Sequence, residues 1–183
     1  MAEFRLVFPN ELEEWHNYDL TMIPREDRST LEVAVDLLGE KYYGNPWYIH
    51  IDDAEYVLGI EDICHVWKEI PQLLQQIVDR DADVVRFSFL AQGVDTVLCV
   101  ETTTTEEIVV SVLTRENSPE YFNFKSNQPL KEALRLLPRV SVSQKIFVDE
   151  WESFVKKLIA VLINRQFIEA DDPAIEEYLS HMP

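Results

Sequence analysis

Three runs of β-branched and apolar residues follow one another with only short polar breaks: VVRFSFL from Val84, TVLCVE from Thr96 and EIVVSVL from Glu107. Such side chains suit a pleated, half-buried surface. The break AQGVD, with Gly93, reads as a turn, and the Thr102–Thr105 run as a hairpin tip. Connections this short leave no room for a crossover, so neighbouring strands must run antiparallel. The middle of the chain is therefore committed to a β-meander.

The flanking segments are read from the same periodicities. EFRLVF alternates Phe4, Leu6 and Phe8 with polar or smaller neighbours and predicts a strand stopped by Pro9-Asn10. ELEEWHNYDL reads as a loop or short helix, and PREDRS as a polar break. TLEVAVDLL places Leu31, Val33, Val35 and Leu37 on one face and predicts a second strand. WYIHI predicts a third and EYVLGI a fourth, joined by a turn at Asp52-Asp53-Ala54. From Glu61 the period becomes helical, with Ile63, Val66, Trp67, Ile70, Leu73, Leu74 and Ile77 on one stripe. Pro71 either kinks that helix or opens a second one. PLKEALRLL predicts a short helix ended by Pro138, and RVSVSQKIFV a further strand. DEWESFVKKLIAVLINRQF predicts the clearest helix, with Asp149 as N-cap and Glu152 completing a capping box. PAIEEYLSHM predicts a last short helix. Trp67 and Trp151 lie on apolar helix faces and are expected in the core. The order of elements predicts a single α+β domain over residues 1–183, an antiparallel sheet with helices packed mainly on one face.

Composition bounds the partners. The 183 residues include 34 acidic and 16 basic side chains, a net charge of −18. The excess is concentrated at the front: residues 1–62 carry 15 acids and 4 bases, against 9 and 7 in residues 126–183. A field of this sign repels nucleic acid and anionic membranes, and speeds encounter with a basic protein. The opening residues lack the pattern of a signal peptide, and no run of 18 apolar residues is present, so a cytoplasmic protein is expected. Cys64 and Cys99 sit among apolar neighbours and read as reduced thiols.

Motifs that carry catalytic chemistry are largely missing from the sequence. Gly39, Gly44, Gly59 and Gly93 are too dispersed to form a phosphate-cradling loop. Nucleophile-elbow, CxxC and HExxH motifs are absent. No catalytic residue, cofactor or metal is assigned. One alternative is a small metal-dependent enzyme: strand parity puts Tyr48, His50 and Asp52 on one face, and His65 is a candidate third ligand. A second is a structural or regulatory adaptor that self-associates, as a homodimer, through exposed strand edges.

Aromatics beside acids suit a partner bearing Lys and Arg. Glu11, Glu13, Glu14 and Trp15 form one such group. Tyr42, Tyr43 and Tyr48 with Asp52, Asp53, Glu55, Glu61 and Asp62 form another. These are the expected partner-binding residues, part of the aromatics being expected in the core instead. The acids after Arg165, from Glu169 to Glu177, extend an acidic surface or form a solvated helix face.

The succession WYIHIDDAEYVLGIEDICHVWKEIPQLLQQIV, VVRFSFL, TVLCVE, EIVVSVL and VDEWESFVKKLIAVL resembles small bacterial immunity proteins. These include the wall-associated-toxin type and families encoded beside polymorphic or contact-dependent toxins. The resemblance covers roughly residues 31–165. It implies a strand, a helix, a meander and a closing helix, no catalytic residues, and a basic toxin domain, such as a nuclease, as partner.

Overall fold

The computed structural model describes residues 3–14, 28–89, 96–104, 106–114 and 134–183. The fold is α+β. Strands β1 (Phe4–Val7), β2 (Pro46–Ile51) and β3 (Ala54–Gly59) make a three-stranded antiparallel sheet in that order. Strands β4 (Val84–Phe89), β5 (Thr96–Thr102), β6 (Glu107–Thr114) and β7 (Arg139–Ser143) make a four-stranded meander, also in chain order. Helices α1 (Thr30–Lys41), α2 (Ile60–Val66), α3 (Ile70–Asp79), α4 (Gln144–Asn164) and α5 (Pro173–Ser180) complete the described elements.

The meander and the Asp52-Asp53 hairpin are as the sequence predicts, but the strands divide between two sheets. One apolar core joins their inner faces, and α4 supplies its centre. Phe147 stacks on Phe4 of β1 at 4.8 Å, and Trp151 lies nearly parallel to Phe87 of β4 at 4.8 Å. Phe154 meets Trp47 of β2 at 4.9 Å. Trp67 and Trp151 are both core residues. The opposite face of the meander carries a smaller apolar cluster of Val84, Val97, Cys99, Leu113 and Leu134.

Two local readings are corrected and one open alternative is decided. TLEVAVDLL is helical, not a strand. Ser29 caps it, accepting from the Glu32 amide while Glu32 accepts from the Ser29 amide. The buried residues Leu31, Ala34, Val35 and Leu38 follow the i, i+3, i+4, i+7 spacing, which the alternating pattern concealed. Next, α4 begins at Gln144 with Ser143 as N-cap, so Asp149 lies inside the helix, where Lys145 donates to it at 2.6 Å. Only the RVSVS portion of RVSVSQKIFV is strand. Finally, Pro71 stands in the first turn of α3, and a 3₁₀ turn at Trp67–Glu69 separates α3 from α2. The predicted helix at PLKEALRLL lies largely outside the described residues, as do Trp15 and Gly93.

Candidate partner-binding face

The residues expected to meet a partner separate into a cleft and a sheet face. The cleft lies between α1 and α2. Gly39 is what lets those helices close on each other: a Cβ built there would stand 3.0 Å from the Cys64 sulfur. Asp36, Glu40, Tyr43, Glu61 and His65 join Gly39 and Cys64 to line an opening of about 180 Å³. Tyr43 and Glu61 were expected from the sequence. Asp36 and Glu40 are not among the expected residues: the strand reading stops short of Glu40, and it is the helix α1 that carries both onto the side facing α2.

Glu61 fixes the rim, its Oε2 accepting from the Gly44 amide at 3.1 Å. The nearby cations are engaged. Arg28 binds Asp36, Lys68 binds Glu32, and Lys41 lies 3.2 Å from Glu14. Lys41 and Lys68 hold the carboxyls of Glu14 and Glu32 below the ordinary carboxylate range. The Cys64 thiol is pushed well up, first by burial and then by the charges of Asp36, Glu61 and Glu40. It stays protonated, which makes it a weak nucleophile despite its neighbour His65.

Two expected surface residues are interior. Tyr42 is fully buried, in the elbow after α1. The Arg165 guanidinium lies 5.1 Å from the centre of its ring, and its hydroxyl donates to Glu14 at 3.4 Å. Asp62 is 1% exposed because its carboxylate accepts from the Gly59 amide at 2.8 Å and so anchors the start of α2. Sequence alone could not separate these two from the exposed acids and tyrosines beside them. Glu11, Glu13 and Glu14 are exposed; the Glu13 amide donates to Asn45 Oδ1 at 2.7 Å, which ties that segment to the α1–β2 elbow.

The sheet face is the outer surface of β1–β2–β3. Trp47, Ile49 and Ile51 point into the core, as parity requires. Outward, the register aligns Arg5, His50 and Glu55 in one row and Val7, Tyr48 and Val57 in the next. His50 Nε2 sits 3.2 Å from a Glu55 oxygen. Asp53 and Glu55 are exposed. Asp52 is also exposed but structurally committed. At φ 49° it turns the hairpin, its amide donates to Glu3 O at 2.9 Å, and its Oδ1 accepts from the Glu3 amide at 2.8 Å. The structure therefore gives His50 to Glu55 and Asp52 to Glu3, while His65 lines the separate cleft. Among the described residues no group of His, Cys, Asp and Glu side chains is arranged to hold a metal ion. Among the same residues no helix is long and apolar enough to cross a membrane. Comparison with protein-family models, with curated proteins and with solved structures finds no match.

Proposed function

We propose that this chain is a cytoplasmic immunity or inhibitor protein that binds a basic toxin domain and occludes its active surface. The observation that carries this reading is the α1–α2 cleft. Glu40 and Glu61 converge there beside Tyr43 and the Arg28-paired Asp36, while Lys41 and Lys68 are spent in ion pairs with Glu14 and Glu32. What remains is a negative field with an aromatic rim, on a chain whose first 62 residues carry a net −11. Lys and Arg side chains meet such a rim through ion pairs and ring contacts. A toxin that binds nucleic acid would present such cations in its own cleft.

The test is co-purification with the product of the neighbouring open reading frame, combined with toxicity of that product expressed alone. Binding should weaken as salt rises. Glu40→Lys with Glu61→Lys should reduce affinity by about tenfold or more, and Glu106→Lys, on the β5–β6 turn, should not. A harmless neighbour, or a complex indifferent to both salt and charge reversal, refutes the reading.

A further inference from the structure

We propose that the free edge of β3 accepts an extended basic segment as a fourth strand of the small sheet; this rests on the reading of a basic protein partner and specifies how it docks. The register shows which backbone groups are available. The two-residue turn places Ile51 opposite Ala54, so the pairs Ile49–Tyr56 and Trp47–Leu58 exchange hydrogen bonds across β2–β3. Glu55 and Val57 then direct their amides and carbonyls away from β2. The same parity sends the Asp52 amide to Glu3 and leaves the Leu6 amide on the far side of β1, where both are found bonded. Among the described residues no hydrogen bond reaches the backbone of Glu55 or Val57.

The two edges of this sheet are treated differently. On β1 the Leu6 amide donates to Glu150 Oε2 of α4 at 3.2 Å, which closes that edge with a side chain. On β3 only the last position is closed, where the Gly59 amide donates to Asp62. Of the usual edge guards the stretch before it carries one charge, Glu55; it has no Pro, no Lys and no bulge, and Val57 is 54% exposed. An exposed edge of this kind is a template for strand addition.

The side chains beside the edge select the occupant. An added strand would extend the two outer rows, placing one residue next to Glu55 and another, two positions away, next to Val57. At the first position Glu55 lies 3.2 Å from His50 Nε2, so an incoming Lys or Arg shares that carboxylate, with exposed Asp53 alongside; the apolar row Val7–Tyr48–Val57 flanks the second. A Lys or Arg followed two residues later by a β-branched residue fits both. A second copy of this chain would bring another Glu55 and a net −18 charge against the first, so self-pairing is opposed.

The probe is a synthetic octapeptide with Lys and Val alternating on one face and Thr on the other. It is titrated into the full-length, ¹⁵N-labelled chain while amide hydrogen exchange is followed. Protection confined to Glu55 and Val57, lost when the Lys residues become Glu and lost when the peptide backbone is N-methylated, is the expected result. Val57→Pro removes one donor and Val57→Lys adds an edge guard; each should weaken peptide binding about tenfold or more. No protection at β3 at millimolar peptide, or protection only around α1–α2, overturns strand addition but leaves the basic-partner reading standing. Concentration-dependent protection of β3 without peptide overturns it in favour of self-pairing. Peptide binding at β3 together with a harmless genetic neighbour would keep the edge site and remove the toxin.

Discussion

Gly39 of α1 and Cys64 of α2 are packed so closely that a methyl group on Gly39 would lie 3.0 Å from the thiol sulfur. Glycine costs an exposed helix about 1 kcal/mol relative to alanine, yet here it sets the spacing of the helices that frame the acidic cleft. Gly39→Ala should therefore lower stability by about 1–3 kcal/mol through overpacking, despite its better helix propensity. Combined with Cys64→Ala, part of the loss should disappear, since the sulfur at 3.0 Å is removed while the Cys64 Cβ at 3.1 Å stays, giving a measurable coupling between the two sites in urea unfolding. Additive effects would show that the contact is not limiting.

Trp151 is the centre of the core and offers a second check. It is fully buried, and its indole N–H finds no acceptor among the described residues. Trp151→Ala should cost about 3–5 kcal/mol. Trp151→Phe keeps most of the stacking on Phe87 and removes an unpaired buried donor, so it should cost well under half as much. Equal losses in chemical denaturation would mean that the indole nitrogen is bonded in solution.

Glu150 closes the β1 edge through the Leu6 amide. Glu150→Ala should leave that amide without its acceptor, speed its hydrogen exchange by about tenfold and lower stability by about 1 kcal/mol. The Arg5 and Val7 amides, which the register directs toward β2, should change far less.

Alkaline pH should unfold the protein earlier than its composition suggests. Burial pushes the Cys99 thiol up to about 12, and burial followed by the neighbouring carboxylates pushes Cys64 well above its ordinary value of 9.0. Burial also raises the Tyr178 hydroxyl, which donates to Trp67 O at 2.7 Å. A group whose folded pKa is raised holds its proton more tightly when folded. Its contribution is complete below the unfolded value and is lost as pH climbs toward the folded one. Urea midpoints should therefore fall from about pH 9 upward, and Cys64→Ala with Cys99→Ala should flatten the decline. A midpoint independent of pH between 8 and 11 would contradict these placements.

Several features of this protein are written in local sequence. The meander follows from β-branched runs with short breaks, the Asp52-Asp53 hairpin from two alternating runs, and α2 and α3 from a helical stripe interrupted by Pro71. Each needs only neighbouring residues, so each was legible. The front-loaded acid excess was legible too, being a matter of counting. Tertiary structure decided the rest. TLEVAVDLL satisfies both periods; the Ser29–Glu32 cap that marks it as helix is local too, but packing against α2 is what holds it in place. Tyr42 and Asp62 share their composition with exposed neighbours, but one fills the elbow after α1 and the other holds the Gly59 amide, so neither is available at the surface. Which sheet edge stays open depended on Glu150, distant in sequence from the strand it closes. The burial of Tyr42 against Arg165 and the closing of the β1 edge by Glu150 rest on contacts between remote segments, and a one-dimensional pattern carries no information about which remote side chain will arrive.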